Sequence, residues 1–263
     1  MQPWRSNFRW RFLLAPPRSG AENMARDVAL QARASRTGEA IFSIYSWSRP
    51  TLSFGRNQPA AGLYDLKKIR AADIDVVRRP TGGRAILHHR EVTYSVAAPI
   101  DGASLHETYS QINRILQLGL SRLGVLVEAA AGDERAQAPS VRPCFETPAK
   151  GELIAGGAKL VGSAQLRENG ALLQHGSILV DDDQSSLLDL SASPIASHQW
   201  TPPASLHSLL GRTPDPFEIA GSMREAVRSL EDNAVTELDE DDVRAAALER
   251  VPQFLDEGWT WRR

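Results

Sequence analysis

Apolar and polar positions alternate at the start of the chain. Phe8, Trp10 and Phe12 fall on one side and Arg9 and Arg11 on the other, the period of a half-buried strand. Ser19-Gly20-Ala21-Glu22 then forms a capping box, and Met24, Ala25, Val28, Ala29 and Ala32 keep helical spacing after it, with Gly38 placed to end the helix. Ile41 to Trp47 is rich in β-formers; Arg49-Pro50 predicts a turn and Thr51 to Phe54 a returning strand. A polar loop, Gly55 to Pro59, leads to a short helix over Tyr64 to Arg70 and a strand over Asp75 to Arg79. Glu91 to Ala97 predicts another strand. A second capping box, Ser104 with Glu107, opens a helix striped by Tyr109, Ile112, Leu116, Leu120 and Leu123 and closed by Gly124. Ala129 to Pro143 is long, small and polar, and reads as a loop. Leu153-Ile154, Lys159 to Gln165 and Leu172 to Val180 predict consecutive antiparallel strands with turns at Gly156-Gly157 and Asn169-Gly170. Ser191 to Pro216 has the composition of a linker, and Phe217 to Leu230 and Asp241 to Leu255 that of amphipathic helices.

Hairpin blocks separated by helices predict an α+β fold, with mixed, mostly antiparallel sheets flanked by helices. Residues 1–200 would form the main domain, and 201–263 a linker with a small helical C-terminal extension. The chain of 263 residues can bury one substantial core, and 42% hydrophobic with 24% charged residues excludes wholesale disorder. A net charge of −2 supplies no basic field for nucleic acid or anionic lipid. No apolar run is long enough to span a bilayer and the N-terminus lacks a signal-peptide core, so a cytoplasmic protein without membrane or nucleic-acid partners is expected. Cys144 is the single cysteine, which excludes an intrachain disulfide and a thiolate-rich zinc site. The histidines lack HExxH spacing, and no metal is expected. Asp181-Asp182-Asp183 reads as a solvated cap of the helical turn that follows.

The chain is organised around Val76 to His88, where an apolar strand meets Arg78-Arg79-Pro80-Thr81-Gly82-Gly83-Arg84 and a second short strand runs out to His88. Paired glycines allow positive φ and close approach of a ligand to backbone N–H groups, and Arg79 and Arg84 flank the bend with guanidinium groups suited to oxygen ligands. A plain hairpin turn with solvated arginines fits these residues equally well. Cys144 lies 15 residues before Lys159 and follows Arg142-Pro143. It is either a small buried hydrophobe or a reactive thiol. Lys159 is correspondingly a solvated strand lysine or the cation that favours the thiolate.

Four blocks occur in order: Glu22 to Asp27, Trp47 to Gln58, Arg78 to His88, and Gly157 to Gln165 followed by Leu172 to Leu179. Together, over Trp10 to Val180, they resemble the lipoate–protein ligase and octanoyltransferase family, whose fold is that of the biotin/lipoyl protein ligase catalytic domain. The details resemble its cysteine-dependent octanoyltransferases, because Arg84 stands where ATP-using ligases usually carry a third glycine and Cys144 precedes the lysine strand. His89 stands where the family pattern has aspartate; if that aspartate orients the turn, the orientation must be managed differently here. The resemblance implies transfer of octanoyl from an acyl carrier protein thioester, through a Cys144 acyl-enzyme, to a lysine of a lipoyl domain or a glycine cleavage H-type protein. It implies no cofactor, and a monomer is expected. In that reading Lys159 activates Cys144, and Gly82, Gly83 and the following strand line an acyl tunnel with Arg79 and Thr81 near its mouth. Gly162 and Ser163 let the acyl carbonyl approach the backbone, and His88 is a candidate base. His175 is either a core histidine or a site residue, and Arg56, Arg79 and Arg84 would form a basic rim for acidic carriers. The alternatives are an ATP-dependent lipoate ligase, an amidotransferase between lipoyl domains, and a catalytically inactive lipoyl-domain binder. A biotin ligase fits the arginine–glycine block less well.

Overall fold

The computed structural model describes residues 6–131, 143–193 and 200–262. Arg142 and most of the expected Ala129–Pro143 loop lie outside the described residues. The first half of the chain contains β1 (Trp10–Leu14), α1 (Gly20–Thr37), β2 (Ala40–Tyr45), β3 (Thr51–Phe54), α2 (Leu66–Ala71), β4 (Asp75–Arg78), β5 (Ile86–His88), β6 (Glu91–Pro99) and α3 (Leu105–Arg122). The second half contains β7 (Glu128–Ala129), a 3₁₀ turn (Cys144–Glu146), β8 (Leu153–Ala155), β9 (Ala158–Glu168), β10 (Ala171–Leu179), α4 (Ser186–Asp189), α5 (Leu206–Leu210) and α6 (Pro216–Leu230). It ends in β11 (Thr236–Glu237), α7 (Asp241–Leu248), α8 (Val251–Leu255) and α9 (Glu257–Thr260).

The strands form an eight-stranded sheet in the order β11-β1-β2-β6-β10-β9-β8-β7 and a three-stranded sheet in the order β4-β3-β5. The large sheet is antiparallel from β2 to β7 and parallel at β11-β1-β2. The expected α+β class with mixed sheets is thus what forms. Side chains alternate across this sheet. Phe12, Phe42 and Ile44 join Ile112, Leu116 and Leu120 of α3 and Ile219 and Met223 of α6 in the main core. Leu13, Ile41 and Tyr45 point the other way, toward Leu30 and Ala34 of α1 and Val243 of α7.

Both predicted capping boxes form, at Ser19 with Glu22 and at Ser104 with Glu107, and Gly38 ends α1 at φ 74°. Ala32, placed on the apolar stripe from spacing, is exposed, while Leu30 and Ala34 are buried instead. The helix lies between the sheet and α7 and α8, so its buried arc is wider than a single stripe. That arc includes Asn23, Arg26, Asp27 and Gln31, polar residues a periodicity argument assigns to solvent.

β3 does not return along β2, because β1 and β6 already occupy both edges of that strand. Instead Trp47 to Pro50 carries the chain into the small sheet, where β3 pairs in parallel with β4 and antiparallel with β5. The segment read as one helix from Asp241 to Leu255 is divided into α7 and α8, with Pro252 in the first turn of the second, where its missing N–H costs nothing. Within the stretch read as a linker, Ser205 caps α5.

The helices after Pro216 pack on the same body. Met223 of α6 sits against Gly119 of α3, where an added Cβ would lie 2.9 Å from the methionine methyl. β11 pairs with β1, and Leu238 N–H donates to the Phe12 carbonyl at 2.8 Å. The buried Arg78 guanidinium donates to the carbonyls of Gly55 and Gln58 on one side and of Thr260 and Arg262 on the other, at 2.6–3.0 Å.

Candidate active site

The turn after β4 is set by its own hydrogen bonds. Arg79 is 3% exposed, and its guanidinium donates to the Ser53 carbonyl (2.9 Å) and hydroxyl (2.5 Å) and to the carbonyls of Gly82 (3.0 Å) and Arg84 (2.9 Å). Burial pushes this guanidinium down to about 10, still a cation at neutral pH. Of the paired glycines only Gly83 has a positive φ, 95°. Its carbonyl packs against Gly55, and Arg56 N–H donates to the Thr81 carbonyl at 2.7 Å. Arg79 is therefore an internal brace, not part of an exposed rim. Arg84 is 6% exposed and turns away from the bend, pairing with Glu146 at 3.6 Å and donating to Thr147 Oγ1 at 3.3 Å. With both arginines buried, the basic rim expected for acidic carriers reduces to Arg56, itself 3.8 Å from Glu168.

Arg84 instead braces the 3₁₀ turn that carries Cys144, whose N–H donates to the Ala85 carbonyl at 2.9 Å. From β9, Lys159 reaches under this turn. Its Nζ lies 3.3 Å from Cys144 Sγ, 2.8 Å from the Cys144 carbonyl oxygen and 4.9 Å from the centre of the Phe145 ring. Both carboxylate oxygens of Glu152 lie 2.8 Å from the same Nζ. Burial pushes the ammonium down, but the Cys144 and Glu152 charges outweigh it and hold Lys159 above the ordinary lysine value. Gly162 leaves room for this side chain, since a Cβ there would lie 3.1 Å from Lys159 Cε and 3.3 Å from the Phe145 ring.

Cys144 opens into a cleft of about 370 Å³, including its mouth, with Met24, Tyr45, Trp47 and Ile86 as its apolar walls. Arg79, Gly83, His88, Gly162, Ser163 and His175 also line it, so the structure gathers these candidates around the thiol. Thr81, Gly82 and Arg84, expected to line the tunnel or its mouth or to bind substrate, are not among the lining residues. Ser163 Oγ lies 2.6 Å from the Tyr94 hydroxyl.

Both cleft histidines are held on both nitrogens. Arg79 donates to Ser53 Oγ, which leaves the serine proton for His88 Nε2 at 2.7 Å and places the ring proton on Nδ1, 3.3 Å from Glu91 Oε1. The ring stacks on Trp47 at 4.0 Å. His175 Nδ1 faces Asp27 Oδ2 at 2.8 Å and its Nε2 meets Thr81 Oγ1 at 2.5 Å, while Tyr45 donates to the same Asp27 oxygen at 2.8 Å. At position 89, His89 lies 2.8 Å from Asp183, and the next residue, Arg90, lies 2.6 Å from Asp181.

Burial lowers His88 from its ordinary 6.5, with Glu91 opposing. The unfolded chain therefore takes up this proton first as pH falls. The stability contributed is complete above 6.5 and is lost as pH drops toward the lower folded value. Urea unfolding at pH 7, 6 and 5 should show His88→Gln losing less stability with acid than wild type does.

With this geometry in place, comparison with known proteins decides the family. Residues 19–250 match the lipoyl protein ligase A/B catalytic domain. The chain belongs to that family. Within this lipoyl protein ligase family, it is 45% identical over 188 residues to octanoyltransferase LipM of Kyrpidia tusciae, covering 68% of each chain. It is 42% identical over 183 residues to octanoyltransferase LipM of Carboxydothermus hydrogenoformans, covering 68% of this chain and 67% of that one. The same fold occurs in lipoate-protein ligase A bound with ATP, at TM-score 0.79 and 20% identity over 97% of this chain and 99% of that one. Sequence reasoning on this lipoyl protein ligase domain passed over Glu152, Asp27, Ser53 and Glu91. Each is a polar residue whose role depends on a partner distant in sequence or in another element, and no local pattern marks it. Asp27 and Ser53, which fall within the first and second matching blocks, carried the only available signal.

Proposed function

We propose that octanoyl transfer in protein lipoylation, the activity of the curated relatives and of this chain, runs here through an acyl-enzyme on Cys144. The observation that carries this reading is the Lys159 ammonium 3.3 Å from Cys144 Sγ at the wall of a largely apolar cleft. A cation at that distance favours thiolate over thiol, and the thiolate is the nucleophile. It attacks the carbonyl of an octanoyl thioester, the donor being octanoyl–acyl carrier protein, and expels the carrier thiolate. One thioester replaces another, so no nucleotide is required.

In the second half the ε-amine of a lipoyl-domain lysine attacks the acyl-enzyme, and amide formation from a thioester runs downhill. The amine must arrive neutral although lysine ordinarily titrates near 10.4. Removal from water between Trp47, Ile86 and Tyr45 works in that direction. His88 and His175, with both nitrogens bonded, hold the walls: the first fixes Ser53 and through it Arg79, the second fixes Thr81.

Intact mass after mixing the protein with octanoyl–acyl carrier protein, without ATP, tests the reading. Wild type should gain a hydroxylamine-labile octanoyl adduct and Cys144→Ser should gain none. Lipoyl-domain modification only with ATP and free octanoate, and no adduct, would replace the transferase by a ligase.

A further inference from the structure

The double displacement creates a charge problem at Lys159. In the acyl-enzyme reading, the thiolate that attacks the donor is the partner of this buried ammonium before acylation, its sulfur 3.3 Å away. Once the sulfur is bonded to an acyl carbon it carries no charge. The side chain of Lys159 is 1% exposed, so solvent cannot take the place of that partner. Besides Glu152, the groups against it are the Cys144 carbonyl oxygen at 2.8 Å and the Phe145 ring at 4.9 Å, both uncharged. Near Glu152, Tyr94 of β6 is pushed up to about 12 by burial, and Tyr109 of α3 is raised further; both stay neutral at working pH. Arg84 and Glu146, beside the cysteine turn, are paired with each other. Among the described residues Glu152 alone places a carboxylate on the ammonium. It is held there by the Ala149 N–H, which donates to Oε2 at 2.7 Å.

We propose that Glu152 is a positioning residue for the second half-reaction, keeping the Lys159 ammonium in place while Cys144 is acylated. The inference rests on the acyl-enzyme reading above. In this step the amine nitrogen of the acceptor forms a bond to the acyl carbon and the C–S bond breaks with its electron pair going to sulfur. One amine proton leaves to solvent. The departing sulfur becomes a thiolate beside a cation that is already present, and the resting ion pair is restored. Without Glu152, only the Cys144 carbonyl oxygen and the Phe145 ring, both uncharged, oppose burial at Lys159 during the acyl-enzyme stage; its proton is lost at lower pH, and the thiolate departs toward a neutral amine. Acylation has less need of Glu152, because the thiolate itself then holds the cation.

The experiment measures the two half-reactions separately by intact mass: octanoyl loading from octanoyl–acyl carrier protein, then transfer from isolated acyl-enzyme to a lipoyl domain between pH 6 and 9. For Glu152→Gln, transfer should slow at least about tenfold more than loading at pH 8, so that acyl-enzyme accumulates. Its decline with rising pH should begin at lower pH than in wild type. Glu152→Asp, which keeps the charge, should recover the wild-type pH dependence. The ratio of the two rates does not depend on the fraction of folded protein, so partial unfolding cannot imitate this outcome. Equal slowing of both steps with the wild-type pH dependence would overturn the inference and leave Glu152 structural. A wild type that never forms a labile adduct would overturn the acyl-enzyme reading, and the inference with it.

Discussion

Lys159→Met is expected to lower octanoyl transfer by roughly 10²–10³-fold, the scale on which removal of one preorganised charge-stabilising group acts in a water-excluded site. The rate of Cys144 alkylation by iodoacetamide at pH 7 should fall with it, since in the proposed mechanism the ammonium at 3.3 Å favours the ionised sulfur. The single variant also strands the Glu152 carboxylate, 6% exposed, without its cation, and breaking a buried pair in this way costs about 3–5 kcal/mol. Lys159→Met combined with Glu152→Leu separates the two effects. Its melting temperature should return toward wild type because no charge is left buried alone, while transfer and alkylation stay slow. Recovery of activity along with stability would show that Lys159 acts through the fold and not on the sulfur.

Gly55→Ala is expected to be the most damaging change of a residue that touches no substrate. A Cβ built there falls on the Gly83 carbonyl oxygen, inside van der Waals contact, and 2.8 Å from the Gly83 carbonyl carbon. All the obstructing atoms are backbone, and they belong to the turn that Arg79 braces, so no rotamer change relieves the contact. Overpacking of this kind costs about 1–3 kcal/mol. The displaced turn moves Gly83 and Ile86 in the cleft wall, and transfer should fall at least about tenfold, because misplacement near 1 Å already costs up to a hundredfold. Gly82→Ala is the contrast. Nothing lies within 4 Å of its Cβ position, and thermal unfolding should find its stability within about 0.5 kcal/mol of wild type. Similar losses of stability in both variants would contradict the packing described here.

The contrast between Gly55 and Gly82 also measures how far the sequence could be read. The Gly-Gly pair marked the turn, but which glycine is constrained depends on what packs against it. At Gly55 the obstruction comes from a segment some distance along the chain, beyond any local pattern. The elements themselves were legible wherever local rules govern them: Ser19 and Ser104 capped the helices they were expected to cap, and the Asn169-Gly170 turn joined β9 to β10. Strand pairing was not. β3 carries the same β-forming composition whichever sheet it joins, and only the occupancy of both edges of β2 excludes the hairpin. At the site, Cys144 and Lys159 were found by resemblance and are in contact. Arg79 and Arg84 bear charges that suggest ligands, yet their donors face carbonyls and Glu146 of this chain. A guanidinium reads the same in sequence whether it meets a substrate or braces a turn.

Arg78 links residues 55–58 to residues 259–262, and β11 pairs with β1. Both links join early and late parts of the chain, so they impose an order on vectorial synthesis. While the chain is emerging, the loop behind the glycine turn and the outer edge of the first strand lack the partners that complete them in the native state. Such long-range closure is slow compared with local helix formation, and it leaves a hydrogen-bonding strand edge open in the meantime. The elements from β11 to α9 are therefore the ones that close the structure around the glycine turn, and the nascent chain completes that turn only after they have been made.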